Sequence, residues 1–303
     1  MFNNILGQEK LKRFLKHQID TDTLSYGYIF CGDRYMGKNF IAHEIAEEIT
    51  VDSYIIDVLP SEGRKLIQVD DIRALKESVY GSTFKGEKKV YIIPNSEKMT
   101  SSAQNAFLKI LEEPPREVIF IMLIENTDRL IETVRSRCTV LKLERYSDKD
   151  IVNYLKTLDI ESNPEKIKLC NGTLNKYMIL NSKEFAPVME LSDKILFNIQ
   201  KLHPARVFAI TKHLRKQKEH IYDILDLFLV FYRDIYIYKI LQSDKYLEFS
   251  SKISHIKEQA SSYTEEEVLG ILDRILMSKR KLELNSNFDM TVEMLLLTMR
   301  GLI

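Results

Sequence analysis

Cysteine and histidine are too few and too scattered in this sequence to build a disulfide framework or a metal site. The three cysteines are Cys31, Cys138 and Cys170, an odd number at wide spacings. This pattern argues against paired disulfides and fits a reducing cytoplasm. The six histidines are scattered, and no two cysteines form a CxxC pattern. We therefore expect no bound zinc or other metal.

The chain also lacks an excess of charge and a long apolar run. Its 44 lysines and arginines balance 44 aspartates and glutamates, so the formal net charge is zero. A domain that holds DNA through bulk charge usually has a pI above about 9, and we therefore expect any contact with DNA to be local and assisted by partners. No apolar run approaches the roughly 20 residues that span a bilayer, and the N-terminus does not resemble a signal peptide.

The first half of the 303-residue sequence alternates short apolar runs with amphipathic helical patterns. Residues 90–93, 118–124 and 139–143 are β-prone runs with the length of buried strands. Ser101 with Gln104 offers a capping box for a helix after the first run, and prolines at 114 and 115 end that helix. Strands and helices at this spacing predict right-handed crossovers and a parallel sheet, which is an α/β fold. The apolar positions of the helix are Ala103, Ala106, Phe107, Ile110 and Leu111.

Two segments of this region closely resemble one protein family. The run SSAQNAFLKILEEPP begins at Ser101, and the run FIMLIENTDRLIETVRSRC ends at Cys138. They are similar to the helix, acidic-proline turn, sensor strand and SRC motif of clamp-loader AAA+ subunits, above all the delta-prime-like ones. The resemblance covers nearly the whole chain. It implies a RecA-like AAA+ domain with parallel αβα layers at 1–145, a helical lid at 146–188 and an all-α collar domain for oligomerisation at 189–303.

An apolar run at 26–30 predicts a further buried strand near the start of the chain, and the loop that follows it matches a phosphate-binding loop in part. Gly32, Gly37 and Lys38 keep the G-x-x-x-x-G-K spacing, so that backbone N–H groups and one ammonium can face phosphates. The Ser or Thr whose hydroxyl would ligate Mg²⁺ is replaced by Asn39, and the inner glycine of the family is Tyr35. The resemblance thus implies a degenerate loop that requires no cofactor and leaves weak ATP or ADP binding open. A purely structural turn is the alternative.

The acidic pair that active AAA+ proteins use for hydrolysis is missing. In the family, the strand at 90–93 ends in an aspartate that steadies Mg²⁺ and a glutamate that orients the attacking water. Here Pro94 and Asn95 occupy these positions, and Glu97 is the first acid, two residues past the pair. A proline cannot hold a metal, and a neutral amide cannot act as a general base. Together with Asn39, this predicts no ATP hydrolysis at the site.

The SRC motif, Ser136-Arg137-Cys138, lies between two predicted strands. In the family its arginine reaches from the subunit edge into the ATP site of the neighbour, and arginine fingers are generally worth about 10³–10⁵ in rate. The resemblance thus implies that Arg137 acts in trans; the alternative is a surface salt bridge on a loop.

We interpret Cys138 as a small buried residue rather than a nucleophile, since no histidine pattern surrounds it. Asn126 and Thr127, in the family's γ-phosphate sensor region, are interpreted as relics.

The second half of the chain shows only helical patterns. Residues 221–241 are densely apolar but interrupted by charged side chains, which excludes a membrane span and predicts a helix buried on most sides.

Lys176 stands where active relatives carry a sensor arginine, and we interpret it instead as a solvated lysine at a helix end. The family's four-cysteine zinc module has no counterpart, because residues 49–52 run straight through its place. Periodicity alone does not distinguish a collar from an ordinary helical domain.

These features predict a non-hydrolysing, delta-prime-like member of the pentameric clamp-loader ring. Its implied partners are the clamp-loader ATPase subunits, a delta subunit, the sliding clamp and, through the assembled ring, primed DNA in the cytoplasm. A stand-alone AAA+ ATPase or helicase loader is an alternative that Asn39, Pro94 and Asn95 disfavour. A regulatory DNA-binding ATPase is disfavoured by the neutral charge.

Overall fold

The computed structural model describes residues 1–2, 4–51, 54–81, 88–115 and 117–302. Its contacts define two compact units. The first consists of residues 1–160 and 172–175, and the second of residues 161–171 and the chain from 176 onward. The three-domain division at 145/146 and 188/189 stays a prediction. Asp52, at the place of the family's zinc module, falls outside the described residues.

The described part of the first unit contains a five-stranded parallel sheet, which confirms the predicted α/β fold. Its strands, in the order of the chain, are β1 Gly27–Cys31, β2 Ile55–Asp57, β3 Lys89–Ile93, β4 Val118–Ile124 and β5 Thr139–Lys142. Across the sheet they run in the order β2-β3-β4-β1-β5. All seven residues of β4 are buried, as expected for an inner strand of a parallel sheet covered on both faces.

Helices cover both faces of this sheet. One apolar cluster joins α3 (Val69–Tyr80) and α4 (Ser101–Glu112) to one face through side chains such as Ile72 and Phe107. A second cluster joins α1 (Glu9–Asp20) and α2 (Lys38–Ile49) to the opposite face through side chains such as Leu15 and Ile41. The result is a three-layer αβα arrangement, as the sequence predicts. The helices are α1 Glu9–Asp20, α2 Lys38–Ile49, α3 Val69–Tyr80, α4 Ser101–Glu112, α5 Glu132–Arg135 and α6 Asp148–Thr157.

The start of α4 differs from the predicted capping box. Thr100, not Ser101, is the N-cap, and its hydroxyl accepts the N–H of Ala103 at 3.2 Å. Gln104 is therefore not needed at the cap, and its side chain is buried elsewhere. The prediction was wrong because three hydroxyl residues, Thr100, Ser101 and Ser102, precede the first apolar position, and sequence spacing does not say which one leaves the helical conformation.

The second unit is built from helices. They are α7 Pro164–Cys170, most of α8 Leu174–Asn181, α9 Ala186–Asn198, α10 Ala205–Lys216, α11 Ile221–Leu241, α12 Ile253–Ser262, α13 Glu265–Glu283 and α14 Phe288–Met299. Phe228, Phe231, Tyr232 and Ile235 on α11 are fully buried, which confirms the prediction of a helix buried on most sides. No helix in the described ranges is long and apolar enough to cross a membrane.

Two acids of α11 have partners inside the unit: Asp234 is fully buried, and the side chain of Asp226 is 24% exposed. The carboxylate of Asp234 accepts the backbone N–H groups of Glu248 and Phe249, each at 2.8 Å. Burial nevertheless raises the pKa of Asp234 to about 6. Asp226 instead pairs with the ammonium groups of Lys176, at 3.0 Å, and Lys279.

The interpretation of Lys176 as a solvated lysine was wrong. Its side chain is only 15% exposed and is ion-paired with Asp226 on α11. The two residues are 50 positions apart, and helical periodicity gives no information about a partner at that separation. Asp226 thereby connects α8, α11 and α13 through one partly buried carboxylate.

We expect Asp226→Asn to lower the free energy of unfolding at neutral pH by about 2 kcal/mol, because two ammonium groups lose their common counter-charge. Burial by itself raises the pKa of Asp226, but Lys176 and Lys279 outweigh it and lower that pKa. The stabilisation should therefore be complete above the unfolded-state pKa of about 3.9 and be lost as the pH falls through the lower folded-state value. Urea unfolding of wild type and variant across pH measures both effects.

Arg73→Ala is the control for this prediction, because its pair with Asp70 lies on the surface. Its effect should stay within about 0.5 kcal/mol at every pH. A wild-type-like Asp226→Asn protein at pH 7 would contradict the assigned role of the carboxylate.

Candidate functional site

The predicted phosphate loop lies at the carboxyl end of β1, where ligands of parallel α/β sheets bind. Gly37 caps α2 with φ +75°, a conformation that favours glycine. The Lys38 ammonium donates to the carbonyl oxygens of Gly32, at 2.6 Å, and Asp33, at 2.9 Å. Asn39 is exposed in the first turn of α2. The structure thus brings the predicted residues together, with the lysine engaged by carbonyls of its own loop.

Carboxylates act on Lys38 from two neighbouring strands. Glu97 lies in a short 3₁₀ turn, Ser96–Lys98, after β3, and Glu125 follows β4. Burial lowers the pKa of Lys38, while the charges of Glu125 and Glu97 act in the opposite direction. Burial also raises the pKa of Glu97, and Oε2 of that carboxyl is buried without a hydrogen-bond partner among the described residues. The carboxyl ends of β3 and β4 thus bring acidic side chains close enough to Lys38 to act on its pKa.

This group of carboxylates is not predicted above, although a signal for it exists. Glu97 and Glu125 both follow strands of the predicted sheet, and the carboxyl ends of neighbouring parallel strands meet at one edge. Pro94 and Asn95 come directly after β3, and neither supplies a carboxylate. Asn95 takes a left-handed conformation, φ 49°, and opens the turn that contains Glu97. In the described part of the chain, no group of three or more His, Cys, Asp or Glu side chains is placed to hold a metal ion.

Arg137 lies between α5 and β5 and makes two contacts through its guanidinium group. Nη2 donates to Oε1 of Glu112 at 2.8 Å, and Nη1 donates to the carbonyl oxygen of Thr133 at 3.0 Å. Glu112 is the last residue of α4. The side chains of Arg137 and Glu112 are 38% and 44% exposed. A surface salt bridge is therefore present, and the guanidinium remains accessible to another molecule.

The other two residues of the SRC motif support the arginine locally. The hydroxyl of Ser136 donates to the carbonyl oxygen of Thr133 at 3.1 Å. Burial raises the pKa of Cys138 to about 12, so the thiol is protonated at working pH and is no nucleophile. A Cβ atom added to Gly27 would lie 2.8 Å from Sγ of Cys138. The cysteine thus packs against the first residue of β1, where only a glycine leaves room for it.

Gln104 is a further polar residue of the site whose role the sequence did not reveal. Its side chain accepts the N–H of Ile131 at 2.8 Å and donates to the carbonyl oxygens of Met99, at 3.3 Å, and Arg129, at 3.2 Å. It connects the start of α4 with the segment that leads into α5. The sequence signal for this role was a polar side chain next to the apolar positions of an otherwise amphipathic helix.

In the neighbouring sensor segment, Asn126 accepts the N–H of Asp128 and caps the turn at Thr127–Arg129.

Comparisons with known proteins agree with the predicted resemblance. A family model described as DNA polymerase III, delta subunit, matches residues 51–147. The chain is 26% identical to DNA polymerase III subunit delta' of Bacillus subtilis, over 97% of this chain and 96% of that protein. It is 30% identical to subunit gamma/tau of Mycoplasma pneumoniae over 64% of this chain. The resemblance to delta-prime-like subunits is thereby confirmed.

The gamma relatives are matched only in part. The chain covers 31% of the Mycoplasma pneumoniae protein and 50% of subunit gamma of Buchnera aphidicola, to which it is 27% identical. Among solved structures, a gamma-subunit-related protein of Thermotoga maritima is similar at 20% identity with a TM-score of 0.47, over 97% of this chain and 98% of that one. The RuvB branch-migration motor of the same organism is similar at 19% identity with a TM-score of 0.44, over 69% and 82%.

Proposed function

We propose that this chain is a structural subunit of a bacterial DNA polymerase III clamp loader, with the role of a delta-prime subunit. The observation that carries this proposal is the similarity to subunit delta', which extends over nearly the full length of both chains. Its partners would be the ATPase subunits and the delta subunit of a hetero-pentamer. The assembled ring would load a sliding clamp onto primed DNA in the cytoplasm.

In this proposal the chain does not hydrolyse ATP. Pro94 and Asn95 stand where a metal ligand and a general base are required, and Asn39 stands where a hydroxyl would ligate Mg²⁺. Lys38 is held by two carbonyl oxygens of its own loop and faces the charges of nearby carboxylates. These features support a site whose remaining task is structural and which would bind ATP or ADP only weakly.

Arg137 is proposed to act in the ATP site of a neighbouring subunit. Its guanidinium is charged at any working pH and can donate two parallel hydrogen bonds to phosphate oxygens, which a lysine cannot copy. It is partly exposed at the junction of α5 and β5. Since this chain lacks the acids needed for its own hydrolysis, Arg137 has little catalytic use in cis.

The second unit is proposed to form the collar contacts. The most apolar part of α11 cannot serve, because Phe228, Phe231 and Tyr232 are fully buried within their own unit. Large apolar side chains on α13, on α14 and in the turn between them are instead exposed, and this set, called the α13–α14 face, is the candidate for contact with ring neighbours. Its members are Leu269, Leu276, Met277, Leu284, Met290 and Met294.

Purified protein should show no Mg²⁺-dependent ATPase above background, because no carboxylate occupies positions 94 and 95. A colorimetric phosphate-release assay on the isolated chain measures this. Turnover that disappears in a Lys38→Ala variant would overturn the proposal and favour a stand-alone AAA+ ATPase or helicase loader.

Arg137→Ala should leave folding and ring assembly nearly intact, since exposed charge changes usually cost within about 0.5 kcal/mol. It should nevertheless lower the DNA- and clamp-stimulated ATPase of the reconstituted complex, by about 10³-fold or more at the one site that Arg137 serves. Clamp loading should fall with it. Arg135→Ala is the matched control, because Arg135 pairs with Asp128 on the surface. Equal activity of wild-type and Arg137→Ala complexes, at matched assembly, would mean that Arg137 is only a surface residue.

Replacing Leu284 and Met290 together with aspartate should weaken assembly without unfolding the chain, because both side chains are strongly exposed. Analytical size exclusion of the reconstituted complex measures assembly, and thermal unfolding of the isolated chain measures stability. Leu59→Asp, an exposed apolar residue of the first unit, is the control. Normal assembly of the double variant would remove the α13–α14 face from the proposed ring contacts.

A further inference from the structure

Glu112 contributes the carboxylate that fixes the guanidinium of Arg137. The two terminal nitrogens of Arg137 donate to acceptors on different helices, Glu112 at the end of α4 and the Thr133 carbonyl in α5. Because a guanidinium is planar and rigid, two such bonds fix both its position and the orientation of its plane. We infer that Glu112 is a positioning residue. It holds Arg137 in an orientation suited to bind the phosphate of ATP in the site of a neighbouring subunit. This inference rests on the proposed function of Arg137.

The position of Glu112 suits this task because its helix is firmly anchored. Phe107 and Ile110, on the turns that precede Glu112, are fully buried in the core of the first unit. Gln104 connects the other end of α4 to the segment that leads into α5. Residues on a well-packed helix are placed more accurately than residues on loops. The carboxylate that orients Arg137 therefore belongs to one of the best-fixed elements near the motif.

The electrostatic environment also favours a cation at this point. Glu112 is the last residue of α4, and the carbonyl groups at a helix C-terminus carry a partial negative charge that stabilises cations. A guanidinium has five N–H donors, and the two observed hydrogen bonds leave others for phosphate oxygens. Arg137 can therefore keep its contact with Glu112 while it binds a phosphate.

Whether removal of Glu112 slows or speeds ATP hydrolysis in the neighbouring subunit depends on the strength of its contact with Arg137. Both side chains are partly exposed, and a partly exposed ion pair changes an equilibrium by a factor of about two to five. Such a contact is too weak to withhold Arg137 from a phosphate that carries two negative charges. It is strong enough to reduce the conformational freedom that the long side chain would otherwise lose on docking. Removal of Glu112 should therefore slow the neighbour's hydrolysis modestly rather than release it.

The test uses the full reconstituted clamp-loader complex with DNA and clamp. Glu112→Ala should lower the stimulated ATPase about two- to fivefold, whereas Glu112→Gln, which keeps an acceptor oxygen at the same distance, should retain most of the activity. In an Arg137→Ala background, Glu112→Ala should have no further effect. Glu113→Ala, which removes the same charge one residue later, is the matched control and should behave as wild type. Thermal unfolding of each isolated variant verifies equal folding.

Three results would overturn the inference while leaving the role of Arg137 in place. These are a faster ATPase in Glu112→Ala, which would mean that the carboxylate masks the arginine, an unchanged ATPase in that variant, and an equal loss with and without Arg137. An Arg137→Ala complex with full activity has a different meaning. It would overturn the proposed function of Arg137, and the positioning role of Glu112 with it.

Discussion

The burial of the inner strands on both faces is the constraint on which the arrangement of the first unit depends. Strands β3, β4 and β1 are adjacent and parallel, and the αβα layering exists because such strands need apolar cover above and below. Their carboxyl ends meet at one edge, so Lys38, Glu97 and Glu125 come together from three separate parts of the sequence. Their amino ends lie at the opposite edge, where the segment containing Arg137 enters β5.

Elements with a strong local pattern could be predicted from the sequence. The continuous apolar run of β4 and the helical period of α4 identified those elements, and the G-x-x-x-x-G-K spacing located the loop around Lys38. The contacts that define the site could not be predicted in the same way. The pair of Arg137 with Glu112 spans 25 positions, and the pair of Lys176 with Asp226 spans 50. Such pairs depend on packing between elements, which residue spacing within one element does not encode.

Asp226 and Asp234, both on α11, show that the same type of side chain can have its pKa shifted in opposite directions within one helical unit. The pKa of Asp226 is lowered by two lysines that overcome its burial, whereas burial raises the pKa of Asp234 to about 6. Because an unfolded aspartate titrates near 3.9, Asp226 adds stability above that pH, and the charged form of Asp234 subtracts stability as the pH rises from about 4 to 6. Two acids of the same helix thus change the stability in opposite directions as the pH rises.

The contact between Gly27 and Cys138 gives β1 a second task. The carboxyl end of this strand leads into the loop of Lys38, and its amino end supports the thiol beside Arg137. A strand advances roughly 3.3 Å per residue and resists both stretching and bending in a sheet. The five residues of β1 therefore act as a spacer between the loop of Lys38 and the segment that contains Arg137. The length of one short strand thereby sets how far apart two segments at opposite edges of the sheet lie.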